Sequence, residues 1–399
     1  MQPDKAQLQE PLIPVASKWP RHEQDEIDAV TRVLASGKVN GLVHGIETAA
    51  FAQEFAEFTG AQHGICMANG TVTLEIGLRA LGIGAGDEVI VPARSFFATV
   101  SCVLAVGATP VFADIDAVSQ NIDPASVEQL IGPKVRAVIC VHLAGWPCDM
   151  ARLTKLCEDH GLFLVEDCAQ AHGATIDGRM AGSFGDIGSM SFCTDKIMST
   201  GGEGGLLLVR NQDVFERAWS LKDHGKNRAL LTDGKGKAGQ FRFIHDSCGT
   251  NARMTEMQAA IGRIQLRKLP DWLRTRRRNA ALLTDLLKDH PLVDAPAVPE
   301  SVEHAWYKYY LLLKPHIASP DEVRSSIIAD LIAMDIPCGS GSCPDMSQEL
   351  GIASMAPRKD GALEGANAVG ERTIMLPIDH TLESDAIQAM AEALWAIAG

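Results

Sequence analysis

The chain has 399 residues, of which 46% are hydrophobic and 22% charged. This is the balance of a globular protein with room for two domains, and it excludes a disordered or fibrous chain. A formal net charge of −14 argues against a general attraction to nucleic acid or to an anionic membrane surface, so any anionic ligand must be held by a local site.

The opening MQPDKAQLQEPLIPVASKWP lacks the apolar core and small-residue cleavage site of a secretory signal, which makes the cytoplasm the expected location. Ten cysteines show no zinc-ribbon spacing, and Cys338 and Cys343 stand too isolated to suggest a metal site. Stretches such as AVICVH and VEDCAQ instead read as buried free thiols in a reducing compartment.

From about Glu47 onward, helical patterns alternate with short apolar runs rich in β-branched residues, as expected of crossover units on a mainly parallel sheet. The segment ETAAFAQEFAEFTG reads as a helix. In MANGTVTLEIGLRALG, Asn69, Gly70 and Thr71 stand just before a second helix, where free amides and the helix dipole suit a phosphate; a plain helix cap is the alternative. The strand Glu88–Val91 runs on to Pro92 and then a pair of aromatics, of which Phe96 is suited to lie flat on a planar ligand and Phe97 to join the core. The apolar run Phe96–Ala113 approaches membrane-spanning length, but Gly107 and Pro110 interrupt it and Arg94 and Asp114 flank it; it reads as a buried helix and then the strand Pro110–Ala113.

SVEQLIG is the next helical pattern, and Arg136–Val141 and Leu162–Glu166 are further strands. The latter runs into FLVEDCAQAHG, where Glu166 and Asp167 end a buried strand ahead of Gln170 and His172. A carboxylate there needs a partner, and the protonated ring nitrogen of a pyridoxal cofactor is one that would let the ring accept electrons; a structural ion pair is the other reading. Next come the strand Ile187–Phe192, a turn bearing Lys196, a cluster of glycines and the strand Gly205–Val209. A lysine just past a strand's carboxyl end lies where open α/β sheets place ligands and is a Schiff-base candidate, although alone it equally suits a solvated loop. Asp167 precedes it by 29 residues, close enough in sequence for both to meet one ring. Leu230–Gln240 reads as a mobile surface loop. From Met254 a long helical pattern passes Pro270, where a kink or break is expected. It leads into a smaller domain with the strand WYKYYLLL, the loop CGSGSCPDM and the final helix SDAIQAMAEALWAIA.

NGTVTLEIGLRALGIGAGDEVIVPARSFFAT, ATPVFADID, VEDCAQAHGA, GSMSFCTDKIMSTGGEGG, KDHG and GTNARMTEMQAAIGRIQL, with LPIDHTL near the end, resemble in order and spacing the DegT/StrS sugar aminotransferases, and cover most of residues 41–269. The resemblance implies the type I aspartate-aminotransferase fold, a pyridoxal-phosphate-binding unit over residues 1–248 and a small unit over 249–399. It implies that Lys196 is the Schiff-base lysine, that Asp167 pairs with the pyridine nitrogen, that Gln170 lies near the ring hydroxyl, that Gly70, Thr71 and Ser191 bind the phosphate and that Phe96 stacks on the ring. It implies also that Asn251 reaches the phosphate in the neighbouring subunit, so that a homodimer shares its active sites.

Three departures from the family's commoner pattern bear on the substrate: CTDK before the lysine, Arg94, and CGSGSCPDM in place of a histidine- and tyrosine-containing stretch. A branch with a similar GSC segment includes an enzyme acting on an eight-carbon keto-sugar acid. The implied reaction therefore moves an amino group, from glutamate, to a keto-sugar that is nucleotide-linked or is such an acid. Arg94, His172, His224 and Arg253 are the substrate-binding candidates, with Lys226 and Arg228 as further cations. The competing readings are a sugar dehydratase, which in this family carries histidine in place of the lysine, a non-catalytic sensor on the same fold, and an enzyme of ordinary amino acids, for which no dedicated carboxylate-binding arginine stands out.

Overall fold

A computed structural model describes residues 15–232 and 243–399. Thirteen strands run through these residues: β1 (His63–Met67), β2 (Glu88–Pro92), β3 (Thr109–Ala113), β4 (Val135–Val141), β5 (Phe163–Asp167), β6 (Thr175–Ile176), β7 (Arg179–Met180), β8 (Ile187–Ser191), β9 (Gly205–Val209), β10 (Val293–Asp294), β11 (Val302–Glu303), β12 (Tyr309–Leu313) and β13 (Thr373–Leu376). Seven form one sheet in the order β1-β9-β8-β5-β4-β2-β3. Neighbours from β8 to β3 pair in parallel, and β9 runs antiparallel to both β8 and β1. All six strands expected from apolar runs are present because this sheet is covered on both faces, which makes its strands nearly continuous in hydrophobicity.

Helices Gly70–Ala80, Ala98–Ala105, Pro124–Leu130 and Met150–His160 connect the parallel strands. The run Phe96–Ala113 is, as expected, a helix and then a strand, and no helix among the described residues is long and apolar enough to cross a membrane. All ten cysteines are free, and six are buried.

The smaller α+β unit is built on the antiparallel sheet β10-β12-β13, covered by Ser384–Ala398. The helix Glu256–Leu286 ties it to the rest. Its first half packs Ala259, Leu266 and Leu269 against Phe51 and Phe55, and its second half packs Ala280 and Leu283 against Tyr309 and Leu311. We propose that the division between the units runs along this helix, which starts just past the expected boundary at residue 248. The helix does not break at Pro270. A proline there removes one backbone bond, but buried Leu266, Leu269 and Leu273 hold the turns on either side. Leu230–Thr232, expected in a loop, belong to the short helix Arg228–Thr232, and the rest of that expected loop, residues 233–240, lies outside the described residues.

Alternation along β5 sends its last two acids to opposite faces. Glu166 is fully buried and accepts from the amides of Gly182 (2.8 Å), Phe184 (2.7 Å) and Gly185 (2.7 Å), with His142 Nε2 at 3.1 Å. His142, Glu166 and Cys168 lie close enough together to hold a metal ion, yet the carboxylate is already spent on backbone donors. Its work is to fix the turn that leads into β8. Because an unpaired buried amide costs about 1–3 kcal/mol, Glu166→Ala should destabilise the fold by roughly 3 kcal/mol or more in urea denaturation, and Glu166→Gln by less. A loss under about 1 kcal/mol for the alanine variant would show that the turn does not depend on this carboxylate.

Candidate active site

The carboxyl ends of β1, β2, β4, β5 and β8 converge on one edge of the sheet, and the chain places its reactive side chains there. Beyond β1, Asn69 caps the helix Gly70–Ala80, its Oδ1 accepting from the Val72 amide at 2.9 Å. The amides of Gly70 and Thr71 in that first turn have no partner within the helix and form an anion-binding end. Ser191, at the end of β8, faces it so closely that a Cβ on Gly70 would come within 2.7 Å of the serine Cβ. Gly205 is equally tight, since a Cβ there would lie 2.4 Å from the Asn69 carbonyl carbon. The glycines the sequence shows at these points leave a small cradle with donors on two sides.

Asp167 ends β5 next to Ser189 of β8. Its Oδ2 accepts from Thr99 Oγ1 at 3.0 Å and its Oδ1 from the Ala169 amide at 3.2 Å. Burial pushes the Asp167 carboxyl up, and these hydrogen bonds and the charge on Lys196 act against that rise. Thr99 is in turn 3.0 Å from Ser95 Oγ. Gln170 is buried and accepts from the Ala144 amide at 2.6 Å.

Lys196 lies in the connection between β8 and β9. Its carbonyl accepts from Trp19 Nε1 at 2.7 Å, and its ammonium stands 4.9 Å from the centre of the Tyr307 ring and 4.0 Å from Asp195 Oδ1. The Tyr307 hydroxyl donates to Asp195. Burial, and then the Asp195 charge, push this phenol far above its usual range. His172 is fully buried against Phe192, with ring centres 5.5 Å apart, and burial together with the Lys196 charge brings its imidazole down to about 3. It is a neutral wall at ordinary pH.

Lys196, Asp167, Gln170, His172, Gly70, Thr71 and Ser191 are thus brought to one edge. Phe96 follows β2 and is 65% exposed, so its ring is free to face a ligand; Phe97, expected in the core, is 37% exposed because it starts the helix Ala98–Ala105 on its outer side. Arg94 is buried, its Nε donating to Gln120 Oε1 at 3.0 Å and its Nη1 to the Ser342 carbonyl at 3.3 Å, which ties the CGSGSC loop to the end of β2. His224, Asn251 and Arg253 form a separate group around buried Asp223: Arg253 Nη1 and Lys226 Nζ reach its Oδ1 at 2.7 and 2.8 Å. Asn251 and His224 are exposed. Arg228 is paired with Glu216 on the surface. Sequence reasoning missed Thr99, Trp19 and Tyr307; the Tyr307 signal lay inside WYKYYLLL, which reads as one apolar strand.

A sequence model of the DegT/DnrJ/EryC1/StrS aminotransferase family matches residues 20–395. The chain is 38% identical over 297 residues to an L-glutamine:2-deoxy-scyllo-inosose aminotransferase of Streptoalloteichus tenebrarius, covering 73% of this chain and 69% of that one. Its fold superposes on an aminotransferase from Psychrobacter cryohalolentis with a TM-score of 0.90 at 41% identity, over 96% of this chain and 98% of that one. It is also similar, at 25% identity and a TM-score of 0.84 over 97% of this chain and 99% of that one, to the E. coli GDP-4-keto-6-deoxy-D-mannose-3-dehydratase with bound hydrated pyridoxal phosphate.

His304, like His172, is held down to about 3 by burial. An unfolded imidazole binds its proton near pH 6.5, so the unfolded chain takes up protons that the native one refuses; stability is full above that pH and falls as the pH drops towards 3. At pH 5.5 the two together should cost roughly 3 kcal/mol. A urea midpoint that falls as far between pH 7 and 5.5 in a His172→Gln, His304→Gln double variant as in the wild type would contradict this assignment.

Proposed function

We propose that this protein, which belongs to the DegT/DnrJ/EryC1/StrS aminotransferase family and is a pyridoxal-phosphate-dependent sugar aminotransferase, takes its amino group from L-glutamate and delivers it to the carbonyl of a keto-sugar. L-Glutamine is the alternative donor, carried by the name of the 38% identical relative. The observation that carries the reading is the meeting of Lys196, Asp167 and the Gly70–Ser191 cradle at one edge of the sheet.

The donor set fits the cofactor group by group. The Gly70 and Thr71 amides and the Ser191 hydroxyl suit a phosphate dianion, Asp167 suits a protonated ring nitrogen, the exposed Phe96 ring suits the face of a planar ring, and the Gln170 amide would suit the ring hydroxyl. Pyridoxal phosphate supplies an electron sink for the carbanion formed next to the substrate nitrogen. The rest falls to the protein. Asp167, oriented by Thr99, keeps a negative charge where the ring nitrogen must stay protonated. Lys196 anchors the cofactor through Nζ, and once Nζ is free it takes the proton from the donor's α-carbon and returns one to the former carbonyl carbon of the acceptor. His172, uncharged, closes the buried side without competing for that proton.

We further infer a homodimer. Asn251 is exposed on its own subunit while the phosphate cradle has donors on two sides only, so Asn251 of the partner subunit supports the reading of a shared site. The acceptor is a keto-sugar, either nucleotide-linked or an eight-carbon keto-sugar acid, and the buried Arg94 with the loop it holds supports the acid. His224 and Arg253 sit with Asn251 and belong to the partner-facing side.

The test is the visible spectrum of the purified holoprotein before and after L-glutamate or L-glutamine, for the wild type and Lys196→Ala. The wild type should show a cofactor band that a donor bleaches. Lys196→Ala should retain pyridoxal phosphate with a displaced band and lose at least a hundredfold to ten-thousandfold in turnover, the usual share of general acid–base catalysis. A band indifferent to the substitution, or none after adding pyridoxal phosphate, would remove Lys196 from this role. Release of 2-oxoglutarate separates the enzyme from a sensor that merely binds the cofactor.

A further inference from the structure

Two ammoniums share the neighbourhood of the Tyr307 ring. Both lie near that ring, Lys196 at 4.9 Å and Lys308 at 5.0 Å from its centre, so the two nitrogens are within about 10 Å of each other. Asp195 acts on both, and it already accepts the Tyr307 hydroxyl and stands 4.0 Å from Lys196; the Asp379 carboxylate and the Arg276 guanidinium also act on Lys308, with opposite signs. Lys308 itself makes no side-chain hydrogen bond or ion pair among the described residues, although it is half-buried. A half-buried ammonium with no direct ion pair, acted on only at a distance by the Asp195 and Asp379 carboxylates, is costly to keep charged.

Lys308 also lines a cavity of about 310 Å³, with Gln120, Trp146, Trp306, Tyr310 and Arg372. The volume is at the small end of ligand pockets, and the walls have their usual make-up of apolar and aromatic surface with a few placed polar groups. The charges facing it do not cancel. Arg372 donates only to the Leu313 carbonyl, at 2.7 Å from Nε, and the Asp294 carboxylate at the rim is faced by Lys314 at 3.9 Å. Ala144, whose amide is bonded to Gln170, forms part of the wall. Trp306 and Ala144 both hold a left-handed backbone, with φ of 52° and 55°, and the two segments are cross-linked by Tyr307 N to Ala144 O at 2.8 Å and Ala305 N to Gly145 O at 2.9 Å. Such conformations persist only where surrounding contacts enforce them, so the wall is a rigid one.

We propose that this cavity is the substrate's carboxylate subsite, with Lys308 as the group that pairs with it while the reacting carbon lies at Lys196. The identity of the ligand as a substrate rests on the aminotransferase reading above. The shared chemistry is a carboxylate, which the amino-acid donor or an acidic sugar can supply. Burial pushes the Lys308 ammonium down, and a seated carboxylate reverses that, so binding and protonation reinforce each other.

The experiment compares the wild-type holoprotein with Lys308→Met and Lys308→Arg. The first probe is glutarate, which has no amino group to transfer, followed through tryptophan fluorescence because Trp146 and Trp306 line the cavity. Lys308→Met should weaken glutarate binding at least tenfold while leaving the cofactor band unchanged, and Lys308→Arg should restore most of it. The second probe is donor bleaching of the band. If the carboxylate is the donor's, Lys308→Met needs at least tenfold more L-glutamate for half-bleaching. If it is the acceptor's, the L-glutamate titration stays put and recovery of the band by a keto-sugar acid shifts tenfold, whereas recovery by the matching neutral keto-sugar does not. Glutarate binding and both titrations unchanged in Lys308→Met would overturn the proposal with the aminotransferase reading intact. A wild type that no amino donor bleaches, but whose glutarate binding still depends on Lys308, would overturn the aminotransferase reading and leave the carboxylate subsite standing.

Discussion

The register of β8 against β5 is the constraint on which the rest of the site depends. Asp167 and Lys196 are on different strands' ends, and each is useful only if it faces the same space as the other. A slip of one residue would turn Ser189 and Ser191 to the opposite face. Glu166 prevents this by gathering three amides of the turn into β8, and the Asp186 side chain adds a fourth contact by accepting from Leu164 N at 2.9 Å. One acid of the Glu166–Asp167 pair thus holds the frame, and the other faces the proposed cofactor site. The pairing of β9 on the far side of β8 then brings Gly205 under Asn69, which is where the absence of a side chain lets the capped helix end approach Ser191.

The elements that were legible in the sequence are those whose signal is local. Apolar runs bounded by glycine, proline or acids located six strands of the main sheet, and helical spacing located Ser384–Ala398 to the residue. HGICM did not announce β1, because five residues with histidine and glycine in front carry too little periodicity. Phe97 was misplaced because a run of apolar letters does not say which side of the helix start points to solvent. At Pro270, local chain chemistry favoured interruption, and packing against Phe51 and Phe55 outweighed it.

The site divides along the same line. Lys196, Asp167 and Gly70 stand beside strand and helix ends, so their positions follow from elements that can be read directly. Tyr307 and Trp19 reach Lys196 and its neighbour from 112 and 177 residues away. Nothing in WYKYYLLL distinguishes the ring that receives two ammoniums from those that fill the core, because that depends on the left-handed turn at Trp306 and its cross-links to Ala144. Long-range contact of this kind is a property of the fold and has no local signature.

Charge follows a comparable logic. A chain with fourteen excess negative charges repels anions in general, yet it gathers several cations around single carboxylates. Asp195 is shared by Lys196 and Lys308, and Asp223 by Lys226 and Arg253, with Lys222 at 3.9 Å. Each carboxylate holds its cations in place without neutralising them all. The buried Arg94 has two neutral acceptors, Gln120 and the Ser342 carbonyl, and no acid among the described residues. Fixed positive groups of this sort, inside a low-dielectric wall, favour an anionic ligand more strongly than they would in water. They also discriminate: a neutral ligand leaves each charge as poorly compensated as before, whereas a carboxylate or phosphate settles it.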